Sequence, residues 1–243
     1  MPRFFIKPDA VNGSVAVITG DDAHHISRSL RMKEGEEITL CDGAGKDYLC
    51  YIDEITDKCV TCSIAEATTN GSEPSYKATV YQALAKGDRF DTVIQKSVEC
   101  GAYRIVPVMT KRCTVKLEKK DFEKKCARWN KIAEEAAKQC GRGIVPTVAE
   151  PVTLDVMLEE FAGSELPLFC YEEGYYPIRA AVEKVSSPDT VAILIGPEGG
   201  FAEEEARAVA EAGILPVSLG KRILRTESAA PFVLACLSFA YEQ

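Results

Sequence analysis

Beyond residue 75 the chain alternates short apolar runs with stretches of helical period, and no other feature limits its fold as tightly. Residues 78–83, 104–109, 168–171, 191–195 and 214–218 read as strands, and residues 89–100, 122–140, 154–161, 178–185, 203–212 and 228–241 as helices. The helical reading rests on spacing: Phe90, Val93, Ile94 and Val98 recur at the interval an amphipathic helix buries. Thr153 stands where a helix cap is expected, and Gly101, Gly141 and Gly213 stand where helices end. Such alternation predicts an α/β fold, a mostly parallel sheet covered by helices.

Two of these strands stop at glycine. The run Val191-Ala192-Ile193-Leu194-Ile195 ends at Gly196-Pro197-Glu198-Gly199-Gly200, and Leu215-Pro216-Val217-Ser218-Leu219 ends at Gly220, after which Lys221-Arg222-Ile223-Leu224-Arg225-Thr226-Glu227 leads into the last helix. Two glycine-arrested strand ends so close in sequence put two backbone-rich loops side by side at one sheet edge, where open α/β sheets bind ligands. The first loop resembles a phosphate loop in its small residues. Glu203, Glu204 and Glu205 argue against an anion, because they occupy the first turn of the next helix and cancel its positive end. No phosphate-loop or dinucleotide motif occurs. A ligand that carries positive charge and an adenine-like face fits better, and S-adenosylmethionine (SAM) is one.

The N-terminal part has a different grammar. Residues 15–18, 37–41, 48–52 and 59–64 are short β-prone runs, with Asp42-Gly43 as a turn, and suggest a small β barrel. A polar, turn-rich stretch at residues 68–75 marks the domain boundary. Asp21 or Asp22 is expected to cap a short helix carrying His24, His25, Arg28 and Arg31, with His24, Arg28 and Arg31 on one face by α-helical spacing. That face suits phosphate groups, or is a plain solvated surface.

The net charge of −8 runs against a nucleic-acid partner, but its distribution does not. Residues 77–142 hold 16 Lys and Arg against 8 Asp and Glu, and residues 143–200 hold 2 against 10. Ten cysteines are scattered, and Cys59-x-x-Cys62 has no second pair or histidine cluster beside it, so no metal site is expected. Many unpaired thiols without a signal peptide predict a reducing, cytoplasmic setting. The longest apolar run, residues 229–241, contains Pro231 and falls short of the roughly 18 residues a membrane span requires.

The segments Leu194-Ile195-Gly196-Pro197-Glu198-Gly199-Gly200-Phe201 and Ser218-Leu219-Gly220-Lys221-Arg222-Ile223-Leu224-Arg225-Thr226-Glu227-Ser228-Ala229 closely resemble the signature of the SPOUT methyltransferases, and within them the RsmE family, which methylates N3 of a uridine in 16S ribosomal RNA of the small subunit. Met1-Pro2-Arg3-Phe4-Phe5, His25 with Arg28-Ser29-Leu30-Arg31, Gln95-Lys96-Ser97-Val98-Glu99-Cys100-Gly101, Arg112-Cys113 and Gln139-Cys140-Gly141-Arg142 extend the likeness over nearly the whole chain. The resemblance implies a PUA-like RNA-binding β barrel over residues 1–70 and a SPOUT α/β domain with a deep trefoil knot over residues 75–243. It further implies SAM bound in bent form within the knot loops, and a homodimer whose active site uses both subunits. In that picture Tyr171, Glu172, Ile195, Gly196, Pro197, Glu198, Gly199 and Gly200 line the cofactor on one side, and Ser218, Leu219, Gly220, Ile223, Leu224, Thr226 and Ala229 on the other. Arg3, His25, Arg28, Arg31, Lys111, Arg112 and Arg142 are the expected RNA contacts.

Methyl transfer from a sulfonium is an in-line displacement that needs positioning above all. Uridine N3 is a weakly acidic imide that must lose its proton to attack, so a cation near its oxygens and a carboxylate near its N–H both lower the barrier. Arg225, where the second loop meets the last helix, is the expected cation. Glu198 or Glu227 is the expected proton acceptor, although Glu227 also suits the helix dipole and Glu198 also suits bonding to loop N–H groups. Two rival readings remain: a SPOUT enzyme acting on another RNA, such as a ribose hydroxyl of transfer RNA, and a non-catalytic RNA-binding module. The segments Pro2-Arg3-Phe4-Phe5 and Leu219-Gly220-Lys221-Arg222-Ile223-Leu224-Arg225 weigh against the first.

Overall fold

The computed structural model describes residues 1–56, 58–115 and 117–243. The chain divides into two compact units, Met1–Glu73 with Ala137–Val145, and Pro74–Ala136 with Pro146–Gln243.

In the first unit six strands pair in the order β1 (Arg3–Phe5), β4 (Glu37–Cys41), β5 (Lys46–Ile55), β6 (Cys59–Thr69), β3 (Val15–Thr19) and β2 (Val11–Asn12). Only the β1–β4 pair is parallel. Strand alternation turns Ala16, Ile18, Ile38, Leu40, Val60 and Cys62 into one core, while Val15, Val17 and Glu37 beside them face outward. The expected turn at Asp42-Gly43 forms because the Asp42 carboxylate accepts the backbone N–H groups of Ala44 and Lys46.

The helical segment of this unit departs from expectation. Its N-cap is Thr19, so Asp21 and Asp22 lie inside the first turn of α1 (Gly20–His24), where they favour the helix dipole and cap nothing. Residues His25–Leu30 then continue as a π-helix that ends at Arg31, which adopts a left-handed φ of 53°. The wider π turn voids the α-helical spacing that put His24, Arg28 and Arg31 on one face. Burial of Ala23 and Ile26 in the core fixes the segment, and the His25 ring meets Phe4 edge-on at 6.0 Å.

Residues 137–145 join this unit through a part-buried polar network. The Glu73 carboxylate accepts Arg142 Nε and Nη2, the latter at 2.6 Å, and the N–H groups of Gly143 and Ile144. Arg3 donates to Asp47 and to the Arg142 carbonyl, and Asn70 donates to Asp47 and the Gly141 carbonyl.

The second unit is an eight-stranded, wholly parallel sheet in the order β10 (Val152–Thr153), β8 (Arg104–Met109), β7 (Lys77–Ala83), β13 (Thr190–Ile195), β11 (Leu166–Cys170), β14 (Pro216–Ser218) and β12 (Tyr176–Pro177), with β9 (Thr147–Val148) also on β8. The predicted helices are present as α2 (Arg89–Glu99), α3 (Lys119–Cys140), α4 (Leu154–Phe161), α5 (Ile178–Val182), α6 (Glu203–Glu211) and α7 (Thr226–Tyr241). One sheet face packs Tyr81, Val106, Leu194 and Phe169 against Met157, Phe161 and Val209. The other is covered by α7, which packs on α2, β7 and β13. Among the described residues no helix is long and apolar enough to cross a membrane.

Glu73→Ala leaves the Arg142 guanidinium, 4% exposed, without its carboxylate. The variant is expected to lose about 3 kcal/mol of unfolding free energy in urea titrations, because it removes the carboxylate that this buried guanidinium shares with the N–H groups of Gly143 and Ile144.

Candidate active site

Parallel pairing brings the C-terminal ends of β7, β13, β11 and β14 to one edge of the sheet. A cavity of about 500 Å³ opens there, within the range of small-molecule sites. Its wall comprises Tyr171 and Glu172 after β11, residues 195–200 after β13, residues 218–220 and 222–224 after β14, and Arg225, Thr226, Glu227 and Ala229 at the start of α7.

The first loop is tied down on three sides. The Glu198 carboxylate accepts the Lys86 N–H at 3.0 Å and Arg89 Nη1 at 2.5 Å. Burial by itself would raise the Glu198 carboxyl; the backbone N–H groups of Glu198 and Lys86 and the Arg89 guanidinium outweigh it and hold the group below the usual carboxylate range. Arg112 Nη1 donates to the Gly199 carbonyl at 3.0 Å, and Thr226 Oγ1 donates to the Gly196 carbonyl at 2.7 Å. Phe201, 1% exposed, anchors the loop's end against Phe169 and Tyr171. Gly200 has a φ of +67°, and a Cβ there would sit 2.1 Å from Glu172 Oε1, so only glycine lets the Glu172 carboxylate lie on the loop backbone.

The three glutamates after this loop divide their work. Glu205 is buried and accepts the N–H groups of Ala202 and Lys111, Glu204 pairs with Lys111 Nζ at 2.7 Å, and Glu203 is exposed. In the second loop Gly220 takes a φ of +107°, and Ser218 Oγ accepts its N–H at 3.3 Å. Arg225 is the N-cap residue of α7, and its carbonyl accepts the N–H groups of Ser228 and Ala229. Its side chain is exposed and makes no hydrogen bond or ion pair among the described residues.

Every residue named above for the cofactor, and each of Arg225, Glu198 and Glu227, lies in the wall of this one cavity. Arg89 and Cys170 also line it and were not foreseen. Arg89 opens the helix after β7, and the adjacency of β7 to β13 is not written in the local pattern of either strand. The expected RNA contacts separate into three groups. His25, Arg28 and Arg31 are exposed on the first unit. Lys111 and Arg112 are exposed but engaged with Glu204 and the first loop. Arg3 and Arg142 are turned inward, to Asp47 and Glu73, because each guanidinium joins separate chain segments within the first unit. That placement corrects the expectation of a surface role for these two.

A family profile for an RNA methyltransferase domain matches residues 72–238, and one for an RNA methyltransferase PUA domain matches residues 18–65. The ribosomal RNA small subunit methyltransferase E of Bacillus subtilis (strain 168) is 33% identical over 250 residues, spanning 100% of this chain and 98% of that protein. The chain belongs to the ribosomal RNA small subunit methyltransferase E family. Two solved structures resemble this family member over almost their full length. The Neisseria gonorrhoeae methyltransferase E, bound to SAM, is 30% identical with a TM-score of 0.88, covering 99% of this chain and 98% of its own. A candidate methyltransferase from Legionella pneumophila in complex with SAM is 36% identical with a TM-score of 0.88, covering 98% and 97%. The first unit of this methyltransferase E relative is therefore a PUA-like domain and the second a methyltransferase domain.

A carboxylate held at a lowered pKa stabilises the fold fully above the ordinary carboxylate range and loses that contribution as the pH falls through its folded pKa. Thermal melts of Glu198→Gln are therefore expected to change less than those of the parent between about pH 5 and about pH 3.

Proposed function

We propose that the protein transfers the methyl group of SAM to N3 of a uridine in 16S ribosomal RNA of the small subunit. The observation that carries this reading is the single cavity walled by both glycine loops, in a chain whose 30–36% identical structural relatives hold SAM. The lining suits that molecule: Glu172 and Glu227 offer negative charge to a cationic ligand, and the loop backbones offer donors and acceptors to an adenine. SAM supplies the methyl group. Tyr171, Glu172, residues 195–200, residues 218–220 and Ile223, Leu224, Thr226 and Ala229 hold it.

Arg225 is the group that stabilises charge on the uridine oxygens as N3 loses its proton, since its guanidinium is exposed at the cavity and engages no partner among the described residues. Between the two carboxylates proposed as proton acceptors, Glu227 is the better suited. Glu198 is held by Lys86 and Arg89, which lowers its basicity and fits it to shaping the loop.

The finer architecture belongs to the same proposal. Residues 1–70 form the RNA-binding PUA-like barrel, with exposed His25, Arg28 and Arg31 as contacts, and residues 75–243 form the SPOUT domain. A trefoil knot is supported by the path of the chain after β14, which returns as α7 to pack on α2, β7 and β13 with Thr226 bonded to Gly196. A homodimer is supported by α7 itself. Val233, Leu234 and Leu237 are buried, yet Phe232 and Phe239, seven residues apart, are 37% and 75% exposed. A helix that is apolar all round requires a second surface to cover it. The setting is the cytoplasm, where the ribosomal substrate is.

Incubation with small ribosomal subunits that lack the mark, followed by mass spectrometry of the RNA, is expected to locate one N3-methyluridine. The appearance of no methyl group, or of one on a ribose, would overturn the reading. Arg225→Ala is expected to lower turnover about 10²- to 10³-fold while calorimetry shows unchanged SAM affinity. Sedimentation is expected to show a dimer for the parent protein and dissociation for Phe239→Asp.

A further inference from the structure

One buried amide outside the cavity wall joins the elements that build it. Gln82, 0% exposed, is the penultimate residue of β7 and pairs in register with Ile195, the last residue of β13. Its Nε2 lies 3.2 Å from the Ala83 carbonyl and 2.9 Å from Thr226 Oγ1. Thr226 Oγ1 lies 2.7 Å from the Gly196 carbonyl.

The ends of this chain fix its direction. A carbonyl only accepts, so the atom of Gln82 that faces Ala83 must be the amide nitrogen. That nitrogen also donates to Thr226, whose hydroxyl then spends its single proton on the Gly196 carbonyl. The sequence Gln82 N–H to Thr226 O–H to Gly196 C=O therefore has one polarity, and bonds in such a chain strengthen one another. It ties the end of β7, the opening of the first loop and the first turn of α7 at one point. Gln82 Oε1, by contrast, is buried with no hydrogen-bond partner among the described residues. Packing alone would be served better by an apolar side chain of the same size, which would bury no orphaned oxygen.

We infer that Gln82 is a positioning residue for methyl-donor binding: acting through Thr226, it fixes the spacing between the two loops that hold the cofactor. The inference rests on the proposed function and adds to it a residue that touches neither donor nor RNA.

Calorimetry with SAM and thermal melting of the parent and four variants test it. Gln82→Leu, which removes the orphaned oxygen along with the donor, is expected to weaken SAM binding about tenfold, the worth of one lost hydrogen bond, without lowering the melting temperature. Thr226→Val is expected to bind as weakly, Thr226→Ser to bind more tightly than Thr226→Val, and the Gln82→Leu, Thr226→Val double variant to be no worse than either single one. Parent-like affinity in Gln82→Leu, or losses that add in the double variant, would overturn the inference. If Gln82→Leu unfolds, the contrast between Thr226→Val and Thr226→Ser decides, equal affinities counting against it. If the parent itself binds no SAM, the functional reading fails separately. The relay is then judged by hydrogen exchange at the Gly200 N–H, expected to be faster in Thr226→Val than in Thr226→Ser, with equal rates overturning it.

Discussion

Parallel pairing of β13 with β7 on one side and β11 on the other is the constraint from which the C-terminal unit follows. Strands that run the same way end at the same edge, so each connection leaving β7, β11, β13 and β14 begins within reach of the others. Five of the six residues of β13 are buried, and at Gly196, where the first loop leaves the strand, a Cβ would sit 2.9 Å from the Phe201 ring. The cavity is what remains when those exits are held apart. On one side Lys86, Arg89 and Arg112 hold the first loop through Glu198 and the Gly199 carbonyl; on the other, Thr226 holds it to α7.

Acidic side chains around that loop are less available than their number implies. Glu198, Glu204 and Glu205 are each engaged by backbone N–H groups or a cation, and their charge is spent on the loop's own geometry. Glu172, laid against the Gly200 backbone, and Glu227, at the start of α7, are left to face a ligand. The preference for a cationic ligand thus survives on different residues from the three that first suggested it. The glutamates of α6 serve the helix terminus and its neighbour, as first-turn acids ordinarily do.

Much of this was legible in the sequence because the relevant signals are local. Glycine after an apolar run marks a strand exit, and helical spacing in residues 89–100 or 203–212 marks a covering helix, so strand ends and cavity walls are read together. Long-range pairing left no such trace. Nothing near Gln82 announces that Ile195 lies beside it, or that Thr226 accepts its amide. Arginines were misjudged for the same reason. Arg3 and Arg142 look like surface cations until Asp47 and Glu73, far away in sequence, are placed against them. The π-helix at His25–Leu30 escaped because residue types that favour it do not differ from those of an ordinary helix.

The inward turn of Arg142 also bears on how the chain can be divided. Its segment, Ala137–Val145, sits with Met1–Glu73 although it is threaded between two parts of the methyltransferase unit. The polypeptide therefore changes unit three times, after Glu73, Ala136 and Val145. No single cut yields two whole pieces: a fragment beginning at Pro74 carries nine residues that belong to the missing half, with a guanidinium and two N–H groups stripped of the carboxylate that satisfied them. The PUA-like unit and the methyltransferase unit, however distinct in architecture, are inherited by this chain as one indivisible length of sequence.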